Sequence, residues 1–359
     1  MRVSSNSVVD TGMILATGGL SITLVFTTMG VVWKLLFVIG LSAAAQSWAP
    51  IASETKSNLR GVGAKGQTVW ASGDKGTVLT SSDGKTWRDA APKGVADLDF
   101  RDLHVVDERT VYLMSSGEGP KSRIYKTTDG GASWLLIATN LEPKGFWDCM
   151  GFWDPTHGII VGDPIEGGDG KFTILTTIDG TTWQPVKGPS ANNGEGAFAA
   201  SGTCVFARGT REAWFGTGGL GGGRVFHSQD SGQTWSVAKT PIRHDSEGAG
   251  IFSLAFSDAL HGVAVGGDYM KPTESAGNVA ITNDGGKTWT APAGPAPGGY
   301  RSAVTCDAIC IATGTSGSDL STDGGKSWRS LEGGFNAISN GFAVGTRGRI
   351  ATLTPPAPR

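Results

Sequence analysis

Hydrophobic positions fall into short runs, each bounded by glycine. Val69-Trp-Ala-Ser-Gly73, Val111-Tyr-Leu-Met-Ser-Ser-Gly117, Gly158-Ile-Ile-Val-Gly162, Ala213-Trp-Phe-Gly216, Gly262-Val-Ala-Val-Gly266 and Ile309-Cys-Ile-Ala-Thr-Gly314 form one series. None has the spacing of an amphipathic helix. Continuous apolar runs of this length predict strands covered on both faces. After each run comes a variable polar loop, a further strand, and a turn that ends in tryptophan.

Six such turns recur. They are Ser81-Ser-Asp-Gly-Lys-Thr-Trp87, Thr127-Thr-Asp-Gly-Gly-Ala-Ser-Trp134, Thr177-Ile-Asp-Gly-Thr-Thr-Trp183, Ser228-Gln-Asp-Ser-Gly-Gln-Thr-Trp235, Thr282-Asn-Asp-Gly-Gly-Lys-Thr-Trp289 and Ser321-Thr-Asp-Gly-Gly-Lys-Ser-Trp328. Their tryptophans are 47, 49, 52, 54 and 39 residues apart, a period that suits one four-stranded propeller blade. The chemistry of the turn is local. The Asp carboxylate accepts backbone N–H groups of its own turn, glycine permits positive φ, and the tryptophan buries a large ring between sheets. The first and third turns are one residue shorter, so their geometry is expected to differ. A motif present in every blade serves the blade, so Asp83, Asp129, Asp179, Asp230, Asp284 and Asp323 are excluded from any site.

A seventh copy begins at Gly341-Phe-Ala-Val-Gly345 and Arg349-Ile-Ala-Thr-Leu353 but stops before its tryptophan. The missing end stands near the start of the chain, where Ser47-Trp48-Ala-Pro-Ile-Ala52 matches the close of the other turns and the residues just after them. The expected fold is therefore an all-β, seven-bladed propeller. Its N-terminal strand completes the last blade and closes the ring, which removes free sheet edges.

The first 45 residues read differently. Met29-Gly-Val-Val-Trp-Lys34 is a short basic region, residues 35–41 are apolar, and Ala43-Ala-Ala45 supplies small residues for a signal peptidase. Translation from Met29 and cleavage after Ala45 are expected, leaving residues 46–359 as a single propeller domain. The alternative takes Met1 as the start and residues 12–45 as an uncleaved membrane anchor. Either way the propeller is expected outside the cytoplasm, periplasmic or secreted.

Composition narrows the function. Glycine is 56 of 359 residues and the formal net charge is −2, so nucleic acid is not an expected partner. No His or Cys spacing suggests zinc, and no glycine-rich strand–turn–helix motif suggests a dinucleotide. Neither metal nor cofactor is expected. In an oxidising compartment Cys306 and Cys310, across a tight turn, are candidates for a disulfide; two reduced core residues are the alternative. Cys149 and Cys204 lie in neighbouring repeats, and the sequence leaves their state open.

Turns of this form resemble the sialidase-type BNR repeat, or Asp box. The run of apolar, glycine and Asp-box segments over residues 46–353 resembles the photosystem II stability and assembly factor family. That resemblance implies a small exported propeller that helps assemble a membrane complex. No run of arginines matches the docking patch of that family. Sialidases use an Arg-Ile-Pro motif near the start, and the nearest match here, Ser122-Arg-Ile-Tyr125, lacks the proline.

Long polar loops on one rim of a propeller are where a site is expected. Asp74, Glu118, Asp163 and Asp268 lie just after blade glycines and are candidates for a partial acidic ring, against the alternative of solvated turn residues. Trp147 and Tyr269 are candidate aromatic platforms, with packing beneath the loop as the alternative for Trp147. Arg123, Asp148, Glu195, His244, Tyr300 and Arg301 complete the binding-face candidates. His157 and His261 occupy equivalent turns and read as repeat structure. The resulting expectation is a monomeric, non-enzymatic propeller that binds a protein or membrane-protein complex. The alternative is a glycan-binding or glycoside-hydrolase-like propeller using the acidic ring.

Overall fold

The computed structural model describes residues 46–354, together with a small pairing of Ala16–Thr17 with Leu20–Ser21. The expected signal cleavage site lies outside the described residues, as does all but that pairing of the alternative anchor. Ser47–Leu353 is one compact unit.

That unit is a ring of seven antiparallel sheets. Blade 1 runs Leu59–Lys65, Thr68–Gly73, Val78–Ser81 and Arg88–Asp89 from the channel outward. Blade 2 starts with Phe100–Val105 and ends with Leu135–Thr139; blade 3 starts with Trp147–Phe152, and blade 4 with Val205–Arg208. Blade 5 starts with Ala249–Phe256 and blade 6 with Ala303–Cys306. Blade 7 consists of Ala337–Ser339, Phe342–Val344 and Ile350–Leu353, completed by Trp48–Ile51. The register of that last pair is Trp48↔Leu353 through Ile51↔Ile350. The ring thus closes through the N-terminal strand.

The glycine-bounded runs are the second strands. Gly158–Gly162 is buried throughout, and so is Val111–Ser115. Seven apolar seams separate the blades, and each holds one tryptophan of the series. Trp134 lies with Trp70 and Leu113 between blades 1 and 2, Trp183 with Tyr112 and Ile160 in the next seam, and Trp235 with Phe215 in the one after. Trp289, Trp328 and Trp87 continue the pattern, and Trp48 packs with Ile338 and Phe335 in the seventh seam.

The turn before each tryptophan depends on its length. In the longer turns the Asp Oδ1 accepts the N–H four residues on, as Asp129 does from Ser133 at 2.9 Å and Asp284 from Thr288 at 2.9 Å. In the two shorter turns it accepts the N–H groups two and three residues on. Asp83 takes Lys85 and Thr86 at 2.8 and 2.7 Å, and Asp179 takes Thr181 and Thr182, both at 2.7 Å.

One irregularity shapes the loop-rich face. The sheet of blade 5 extends inward past its first strand through Gly218–Gly219 and then Glu195–Gly196. Two loop segments, from before and within blade 4, are thereby fixed over the channel. Two disulfides stiffen the ring. Cys149 is joined to Cys204 across the seam between blades 3 and 4, and Cys306 to Cys310 across the first hairpin of blade 6.

Candidate functional site

The first strands of all seven blades surround a channel, and its loop-side mouth opens into a cavity of about 470 Å³. Residues from six of the seven blades or their leading loops reach it. Arg60 and Arg101 come from the first strands of blades 1 and 2, Phe252 from that of blade 5, and Tyr269 from the loop within blade 5. Tyr300 and Ser302 precede blade 6, Asn336 precedes blade 7, and Phe198 rides on the segment leading into blade 4.

Aromatic rings form one wall. Phe198 stacks on Phe252 with centroids 3.9 Å apart and planes 4° from parallel. Phe252 meets Tyr300 edge-on at 4.7 Å and Tyr269 at 6.2 Å. Tyr300 is buried, which pushes its phenol above the ordinary value, whereas Tyr269 is 52% exposed. Offset and edge-on geometry lets each ring present its positive edge to a neighbour's face.

Two arginines stand beside the rings. Arg101 Nε donates to Asp99 Oδ2 at 2.8 Å, and Arg60 Nε lies 3.5 Å from the same oxygen. Two guanidinium groups thus share one carboxylate, and Glu247 is the second acidic side chain at the mouth. Burial, and then the charge of Arg101, lowers the pKa of Arg60 below its ordinary value. Asn336 is fixed between blades, donating from Nδ2 to Asn58 Oδ1 at 2.7 Å and to the Leu59 carbonyl at 2.8 Å.

The residues singled out from sequence are placed unevenly. Tyr269 and Tyr300 line the mouth. Asp163 and Glu195 share a shallow neighbouring cavity with Phe198 and Glu247. Asp148 is buried at 1% exposure beneath it. Glu118 and Asp163 line two separate cavities, and Asp74 and Asp268 line neither of them. Asp74 Oδ1 accepts the Asn58 N–H at 2.9 Å, and Asp268 accepts from Ser246 Oγ and the Met270 N–H, both at 2.9 Å. Glu118 is exposed ahead of a short helical turn, Gly119–Lys121.

Three candidates are taken up by internal structure. Arg301 is 2% exposed and bound to Asp319, with its Nε donating to Oδ2 at 2.6 Å, because Asp319 faces it from the third strand of blade 6. Glu195 accepts from Arg224 Nε at 2.9 Å and Thr217 Oγ1 at 2.6 Å. Trp147 is 3% exposed and packs with Met150 and Tyr112, so it offers no platform. Arg123 donates to the Pro120 carbonyl at 2.6 Å, and the exposed His244 lies 3.2 Å from the Ile242 carbonyl through Nδ1. His157 and His261 each sit against the Asp of the same turn, Asp154 and Asp258, as repeat structure requires.

Sequence reading overlooked Arg60, Phe198, Phe252 and Asn336. Arg60 and Phe252 sit inside ordinary first strands, and no local signal marks them. Phe198 alone carried one, an isolated aromatic in a small-residue stretch, Gly194-Glu-Gly-Ala-Phe-Ala-Ala200.

No family model matches the chain, and no curated protein matches it. Among solved structures, YCF48 bound to D1 peptide aligns over 86% of this chain and 97% of its own, with a TM-score of 0.58 and 15% identity. This chain shares the fold of YCF48. YCF48 from Cyanidioschyzon merolae aligns over 86% of this chain and 99% of its own, with a TM-score of 0.40 and 15% identity. A GH74 xyloglucanase from Xanthomonas campestris aligns over 74% of this chain and 53% of its own, with a TM-score of 0.34 and 13% identity. At such identities the likeness to YCF48 is one of fold.

Proposed function

We propose that this propeller is an exported, non-enzymatic factor that binds another protein through its loop-rich face, centred on the channel mouth. The observation that carries this reading is the pairing of an aromatic wall, Phe198–Phe252–Tyr300–Tyr269, with the two arginines that share Asp99. Aromatic residues and arginine are the side chains over-represented at protein interfaces and their energetic centres. Exposed apolar side chains continue the face. Leu220 and Met270, on loops of blades 4 and 5, are 60% and 72% exposed. Solved YCF48 bound to D1 peptide supports a protein partner for a propeller of this shape. Export is supported by the two disulfides, since such bonds persist in oxidising compartments.

The test is retention of a partner from native membranes by the tagged chain after cross-linking. Wild type is expected to retain a defined protein, and Tyr269→Ala with Arg101→Gln to lose it while remaining folded by circular dichroism. Equal retention by wild type and the double variant would sink the reading. Binding to a glycan array that survives both substitutions would point to the glycan alternative.

A further inference from the structure

The segment 195–200 crosses the loop-rich face and places Phe198 on Phe252. Beyond Gly196 it is held by charged side chains. The Ala197 N–H donates to Asp163 Oδ1 at 2.8 Å. The Ala199 carbonyl accepts from Arg101 Nη1 at 3.2 Å. The segment lies flat on the pair: a Cβ on Gly196 would stand 2.7 Å from Asp163 Oδ1. Asp148 Oδ2 is buried without a hydrogen-bond partner. Asp148 is thus shut off from water, and the half-buried Asp163 stands beside it with Oδ1 against the segment.

We propose that Asp148 and Asp163 form a proton-linked latch: the Phe198 segment closes over the pair while it holds its protons and lifts as the pair ionises, opening one wall of the channel mouth. Desolvation and like charge both disfavour the ionised pair under the closed segment. Burial pushes Asp163 up to about 6. Asp148 is raised well above the ordinary carboxyl range, by burial first and then by the charge of Asp163.

With the segment lifted, the half-buried Asp163 becomes fully hydrated and returns toward about 3.9, the ordinary Asp value. The closed form thus binds the proton more tightly. Acid favours closure, and rising pH through about 6 favours opening. The surrounding charges leave that sign unchanged. Arg101 lowers Asp148, but less than burial raises it. Arg60 and Asp99 stand behind Arg101, and Glu195 is tied to Arg224. Glu247, from the loop before blade 5, lines the cavities on both sides of Phe198; its negative charge adds to the repulsion on ionisation.

Hydrogen exchange of the peptide spanning 195–200 in the full chain tests the latch, with rates corrected for intrinsic exchange. Wild type is expected to open about tenfold more at pH 7.5 than at pH 5, from the linkage of those two pKa values. Asp163→Asn cannot ionise and is expected to hold the acid level of protection at both pH values. Protection in wild type that does not change with pH, or the same pH response in Asp163→Asn, overturns the proposal. If the variant does not fold, carbon NMR of the wild-type Asp163 carboxyl and the Phe198 ring replaces it. One shared midpoint is expected, and a ring that does not track the carboxyl overturns the latch. Loss of partner binding at the mouth leaves this measurement untouched, so the two readings fail separately.

Discussion

Trp48 stands opposite Leu353 in the last sheet, and its indole meets Phe335 edge-on at 5.1 Å. The first strand of the propeller is therefore the outermost strand of its last blade, and the ring holds together through both chain ends. Deleting residues 46–54 removes four pairs of that sheet and one seam tryptophan. The expected result is a large fall in melting temperature. Trp48→Ala alone is expected to cost about 3 kcal/mol, at the low end for large-to-small changes because the side chain is only partly buried. Thermal unfolding monitored by circular dichroism checks both, and an unchanged midpoint in the deletion would contradict ring closure.

Turn length predicts which tryptophan needs its N–H. Trp289 and Trp328, in longer turns, donate Nε1 to the Gly286 and Gly325 carbonyls at 3.1 and 3.0 Å. Trp87 and Trp183, in the shorter turns, have no partner for Nε1. Trp289→Phe is expected to lose about 1 kcal/mol more than Trp87→Phe, the net worth of one hydrogen bond. Urea midpoints of the two variants read the difference, and equal losses would show that the bond contributes nothing.

The architecture was legible because each blade repeats its own solution to burial. A strand covered on both faces has to be continuously apolar, and a tight turn needs Asp and glycine at fixed offsets. Trp48 was recognisable for the same reason, since its flanks copy those of the other turns. The mouth was legible only in Tyr269 and Tyr300, because it gathers single residues from six blades or their leading loops, and the others look ordinary in their own strands. Two members of the expected acidic ring are engaged elsewhere. A carboxylate after a blade glycine can turn toward the mouth or toward its own backbone, and Asp74 and Asp268 turn toward backbone N–H groups. Arg301 looked like a loop cation because Asp319, its buried partner, lies 18 residues away in a strand.

The two disulfides are expected to contribute unequally. Cys149 and Cys204 are separated by 55 residues, Cys306 and Cys310 by 4. Loop-closure entropy alone gives about 4 kcal/mol for the first and about 2 kcal/mol for the second. The Cys149→Ser/Cys204→Ser double variant should therefore lower stability more than the Cys306→Ser/Cys310→Ser variant, as read by guanidinium unfolding. A reversed order would show that native-state packing, and not the unfolded chain, decides the effect.

Asp102 supplies the pH dependence of the fold as a whole. It sits in the first strand of blade 2 at 5% exposure and accepts the Met150 N–H at 2.7 Å, tying blade 2 to blade 3. Burial raises its pKa to about 8. In the unfolded chain it titrates near 3.9. Between those values the folded state holds a proton that the unfolded state has released, so stability falls as pH rises, by about 1.4 kcal/mol per unit from this group. The contribution is fully present below about pH 4 and gone above about pH 8. Asp102→Asn keeps a carbonyl for the Met150 N–H and carries no charge. Its stability is expected to lose this downward slope, so that it overtakes wild type toward pH 8. Urea unfolding of both proteins at pH 5, 6, 7 and 8 measures the slopes, and parallel curves would mean that Asp102 ionises in the folded ring as easily as in water.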